Sequence, residues 1–137
     1  PVIERMANAL VPELYVSNLE TSLVFYIDVL GFEVAYDRPE EKFAYLHRDG
    51  AELMLEQVDE KSWLTGELVP PFGRGVNFQI LVAKIAALYE ACLQTTAAIK
   101  VPLERRAYDT GDQTIIQTQF VVQDPDGYLI RLAESES

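Results

Sequence analysis

At 137 residues the chain is long enough to bury a real core and short enough to be a single domain spanning residues 1–137. Its 49% hydrophobic and 24% charged content fits an ordinary soluble globular chain, and no apolar run reaches the roughly 18 residues of a membrane span. The formal net charge of −11 argues against nucleic acid, whose phosphates demand a basic surface, and suits a cationic small molecule. A lone cysteine, Cys92, cannot close an internal disulfide, so a reducing, cytoplasmic setting without a secretory leader is expected.

Residues 1–9 read as a loosely held arm. In 10–16, Leu10, Leu14 and Val16 alternate with Val11, Glu13 and Tyr15, the period of a strand. Asn18 can cap a helix whose Leu19, Leu23, Tyr26, Ile27 and Leu30 form an apolar stripe, and Gly31 supplies its left-handed stop. Strands are expected at 32–38, 42–48 and 51–57, with Asp49-Gly50 as a tight turn between the last two. A linker runs from about 58 to 74.

The same order then recurs. Phe78, Ile80 and Val82 mark a strand, and Ile85, Leu88, Tyr89 and Cys92 follow at helical spacing, with Lys84 where a capping residue belongs. Further strands are expected near 101–108, 114–123 and 128–134, with a turn at "DPDG". "DGAELML" at 49–55 and "DGYLIRL" at 126–132 are two versions of one hairpin end. The chain is therefore an internal duplication, with one module at about 10–57 and a second at about 75–134. The fold class is α+β: two tandem βαβββ modules, each a sheet with one helix-covered face.

"LYVSNLETSLVFYIDVLGFEV", "GAELMLE" and "DPDGYLIRL" give the duplicated unit a resemblance to the vicinal-oxygen-chelate superfamily of glyoxalases, bleomycin-resistance proteins and dioxygenases. The resemblance covers about residues 10–134. It implies that the modules form a cupped, partly open mixed sheet, completed between two subunits of a homodimer. In the superfamily's enzymes, ligands on the cavity face hold a metal: a His in the first strand, a Glu or other donor in the fourth, a His opening the second module, and a Glu in the last strand. On this chain those positions fall on Val11, Met54 (or Glu56 with a one-step shift), Asn77 and Arg131. Val11 has no donor atom, Asn77 is a poor ligand, and Arg131 is a permanent cation. No metal and no cofactor are expected.

Strand parity collects Glu13, Tyr15, Met54, Glu56, Asn77, Gln79, Leu129 and Arg131 on the cavity face. Glu56 and Arg131 can neutralise one another or floor a polar pocket. From the linker, Trp63 and Phe72 can stack on flat rings, or instead pack as a lid or dimer contact. His47, the only histidine, lies beside a hairpin turn and is expected to face solvent, so no catalytic residue is assigned. The resemblance is strongest to the metal-free bleomycin-resistance group, which sequesters a basic glycopeptide in grooves at a dimer interface without chemistry. The expected ligand is thus a bleomycin-like cationic aromatic molecule. The alternatives are a divergent metal-dependent lyase or dioxygenase, and a binder of another small molecule.

Overall fold

The computed structural model describes residues 8–136, so most of the arm expected at 1–9 lies outside the described residues. Asn8 itself is tied down. Its backbone N–H donates to Glu52 Oε1 at 2.8 Å and its side-chain amide to the Gly50 carbonyl at 2.7 Å. The chain divides into two compact units, 1–68 and 69–137. The boundary falls inside the expected linker, because its second half belongs to the second unit: the Phe72 N–H donates to the Asp126 carbonyl at 2.8 Å.

The first unit contains β1 (Glu13–Val16), α1 (Leu19–Leu23), a π-helical continuation (Val24–Val29), β2 (Glu33–Arg38), β3 (Phe43–Arg48) and β4 (Ala51–Gln57). The second contains β5 (Asn77–Leu81), α2 (Ile85–Leu93), β6 (Ala98–Asp109), β7 (Thr114–Gln123) and β8 (Leu129–Glu136). Each unit is one four-stranded mixed sheet, ordered β1-β4-β3-β2 and β5-β8-β7-β6. In both, the outer pair β1–β4 or β5–β8 is parallel and the remaining pairings are antiparallel. The architecture is α+β with tandem βαβββ modules, and neither sheet is closed.

Local chemistry explains the elements. Asn18 Oδ1 accepts the Thr21 N–H at 3.0 Å, the cap expected for α1. The helix then widens, and the Leu30 N–H reaches back five residues to the Phe25 carbonyl at 3.1 Å. The buried stripe accordingly runs through Ser22, Phe25, Tyr26 and Leu30, while Leu19, Leu23 and Ile27 are only half-buried. Gly31, at φ +82°, turns the chain out of the helix. Asp49 and Gly50 both take positive φ, 45° and 91°, the geometry of a tight two-residue hairpin.

Lys84 makes no side-chain cap for α2, and the deficit is met from the sheet. Glu134 Oε1 accepts the Ile85 N–H at 2.9 Å, as Gln57 Oε1 accepts the Leu19 N–H at 3.0 Å in the first unit. Gln57 and Glu134 stand at matching distances from Gly50 and Gly127, so the duplication extends to this contact. The edge strands are irregular. β2 slips register between Val34 and Tyr36, and β6 slips twice, around Val101 and the following Pro102, a residue that a central strand would exclude.

Candidate functional site

The period of two sorts each sheet into faces. In the first unit Leu14, Val16, Leu46, Leu53 and Leu55 are buried in the core. Glu13, Tyr15, Met54 and Glu56 point the other way and are half-buried, with Glu13 opposite Met54 and Tyr15 opposite Glu56 across the parallel pair. The four residues expected there from parity are thus neighbours. Tyr15 also anchors the linker, its hydroxyl accepting the Trp63 backbone N–H at 2.9 Å, while the Trp63 side chain is 88% exposed.

Parity from β1 and β4 missed the residues that β2 and β3 bring to this face. Tyr45 lies opposite Met54 and stacks on Tyr36, with ring centroids 5.1 Å apart. Its hydroxyl donates to Glu52 Oε1 at 2.6 Å; burial, chiefly, and this carboxylate push the phenol up to about 12. The Arg38 guanidinium lies 3.9 Å from the Phe43 ring centroid and also pairs with Glu41. The turn at 49–50 fixes Tyr45 against Met54, so the sequence held a signal for Tyr45. It held none for Tyr36, which lies beyond the β2 bulge.

The electrostatics of this face are acidic. Glu13 is raised from its ordinary value of 4.5, first by partial burial and then by the nearby Glu56 carboxylate, with Arg38 acting against both. The first unit's sequence carries fourteen Asp and Glu against five Lys and Arg, whereas the second carries eight against six. Most of the chain's negative charge therefore belongs to the unit with the paired carboxylates.

The second unit arranges its candidates differently. Gln79 and Arg131 are opposite one another across β5 and β8, and both line a cavity of about 140 Å³ with Tyr108, Ile115 and Gln117. Asn77 is exposed, opposite Leu129. Phe72 is not presented to a ligand: it is 6% exposed, edge-on to Tyr128 at 6.2 Å, so its ring serves the interior of this unit. His47 is half-buried, its Nε2 3.9 Å from Glu33 on the neighbouring strand.

The residues do not fit a metal. Register settles the fourth-strand position: Glu13 faces Met54 as Gln79 faces Arg131, so Met54 is the counterpart of Arg131 and Glu56 that of Ala133. The four ligand positions are then Val11, Met54, Asn77 and Arg131, with no carboxylate, imidazole or thiolate among them. Among the described residues, no group of three or more His, Cys, Asp or Glu side chains converges to hold an ion.

A sequence profile covering residues 7–132 matches the glyoxalase/bleomycin resistance protein/dioxygenase superfamily. The chain belongs to that superfamily. A superfamily member from Vibrio splendidus 12B01 is 42% identical over 92% of this chain and 97% of its own, with a TM-score of 0.44. A protein of unknown function from Agrobacterium tumefaciens str. C58 is 24% identical over 95% of each chain, with a TM-score of 0.73. A glyoxalase/bleomycin resistance protein/dioxygenase from Alicyclobacillus acidocaldarius shares 17% identity over 96% of this chain and 94% of its own, at a TM-score of 0.66. These two share the fold. No curated protein matches the chain. Among the described residues, no helix is long and apolar enough to cross a membrane.

Proposed function

We propose that this superfamily member is a metal-free binding protein that sequesters a cationic, flat-ringed molecule of the bleomycin type and does no chemistry on it. The observation that carries the reading is the Glu13–Glu56 carboxylate pair on one sheet face with the half-buried Tyr36 ring, which the buried Tyr45 backs from the next strand. Burial and the nearby Glu56 carboxylate raise the cost of ionising Glu13, and a cation placed beside them relieves it. Tyrosine rings add stacking worth about 0.5–1.5 kcal/mol per pair beyond area burial. Tyr15, Met54 and Trp63 complete the ligand surface, and the charge of the first unit draws the ligand in.

The competing reading, a divergent metal-dependent lyase or dioxygenase, would need ligands elsewhere, since Val11, Met54, Asn77 and Arg131 offer no carboxylate, imidazole or thiolate. A homodimer in the cytoplasm is part of the proposal. The dimer is supported by open sheets with unclosed edges and by the exposed Trp63 beside the ligand face, and the compartment by the lone, unpaired Cys92.

Titrating bleomycin against the protein while following Trp63 fluorescence tests the reading. Binding should quench the indole and weaken as salt rises, because the screening length falls to about 8 Å at physiological ionic strength. Trp63→Ala should weaken binding further, and Glu56→Gln should flatten the salt dependence while leaving the stacking contribution. Binding that is absent at low salt, or indifferent to both salt and Glu56→Gln, would contradict the proposal.

A further inference from the structure

The chemistry of the second unit is opposite to that of the first. Gln117 Nε2 donates to Gln79 Oε1 at 3.2 Å and to Gln119 Oε1 at 2.8 Å. Gln119 Nε2 in turn donates to Glu104 Oε2 at 2.9 Å and to the Tyr108 hydroxyl at 2.7 Å. Gln117 and Gln119 are buried, so these bonds are not water-exchanged decoration. The direction of the network follows from its end. An ionised carboxylate only accepts, so Glu104 fixes the Gln119 amide with its NH2 towards the acid and its oxygen towards Gln117. Gln117 must then donate, and the Gln79 oxygen accepts from it, which turns the Gln79 NH2 away from Gln117.

What remains unspent at the cavity is mostly donors. Gln79 keeps its NH2 group. Tyr108 accepts from Gln119 and keeps its hydroxyl proton. Arg131 offers a guanidinium whose Nε is buried without a hydrogen-bond partner, and among the described residues no carboxylate pairs with it. A buried unsatisfied donor on a permanent cation is costly, and folds retain few of them without a reason. Ile115 supplies an apolar wall.

We infer that this cavity is a binding site for a small carboxylate carrying a flat apolar group. The carboxylate meets the Arg131 guanidinium, which is suited to bidentate pairing, with Gln79 and Tyr108 donating beside it. The flat group lies against Ile115 and the Tyr108 ring. A cavity of about 140 Å³ matches the size that holds one benzene ring. The lining of this site belongs to the second unit, and its chemistry selects the charge opposite to that favoured by the acidic face of the first.

Thermal unfolding of the full chain with benzoate and with benzamide, which has the same ring and no charge, tests the inference. Benzoate at millimolar concentration should raise the midpoint, and benzamide should bind about tenfold more weakly or worse. Arg131→Met should abolish the benzoate shift. That variant should fold, because methionine already stands at the equivalent place, Met54, in the first sheet. Gln79→Leu, a milder change at an exposed residue, should weaken benzoate without abolishing it. No benzoate shift, an equal shift with benzamide, or a shift that survives Arg131→Met would each overturn the inference.

Discussion

Glu13 is the residue where the proposed function and stability oppose one another. Its carboxyl is held above 4.5, mainly by burial and next by Glu56, so the folded state binds its proton more tightly than the unfolded chain does. The stabilising contribution of the protonated form is complete below the unfolded value and is lost as pH rises through the folded one. Glu13→Gln should therefore raise the unfolding midpoint at neutral pH, and that gain should vanish below about pH 4, where both states are protonated. The same variant should weaken a cationic ligand. A substitution that stabilises equally at both pH values would point to packing rather than charge. Glu13 was legible from strand alternation alone, as were Tyr15, Met54 and Glu56. Of the two readings open for Phe72, packing is the one its burial fits, though nothing in the linker's composition says that its second half folds back onto the turn at 124–128.

At the scale of elements, the duplicated helices show how sheet and helix depend on each other. The first N–H of each helix is satisfied by a side chain from the end of the neighbouring parallel strand, Gln57 for α1 and Glu134 for α2. α1 also has the Asn18 cap, whereas Lys84 provides none for α2. Glu134→Ala should thus cost about 1–2 kcal/mol in denaturant unfolding, since a carboxylate also complements the helix dipole. Gln57→Ala should cost about half as much, and equal losses would count against this division of labour. The strands and their hairpins were readable because apolar alternation and the two Asp-Gly turns agree. The edge strands β2 and β6 were expected close to where they lie, but the facing of their side chains was not readable. Bulges in β2 and β6 shift side chains by one position, which hid Tyr36 and Tyr108. The π-helical turn likewise moved the buried stripe of the first helix onto Phe25.

The whole molecule repeats one fold and gives its two copies different surfaces. The superfamily was readable from motifs that serve the fold itself: the helix cap, the glycine stop and the hairpin ends. The polar face was only partly readable, since Gln117 and Gln119 look like ordinary strand residues until register places them beside Gln79. The places that hold ligands in the superfamily's enzymes were assigned from spacing, and register pairs Met54, not Glu56, with the place of Arg131. The central claim is a metal-free dimer that binds a cationic aromatic molecule, and one sedimentation experiment addresses it directly. Chelator-treated protein is spun with bleomycin while the antibiotic's own absorbance is followed. The antibiotic should sediment with a particle of twice the chain mass and be recovered chemically unchanged. An antibiotic that stays with the slow boundary, or that binds or is altered only when a divalent ion is restored, would contradict the claim.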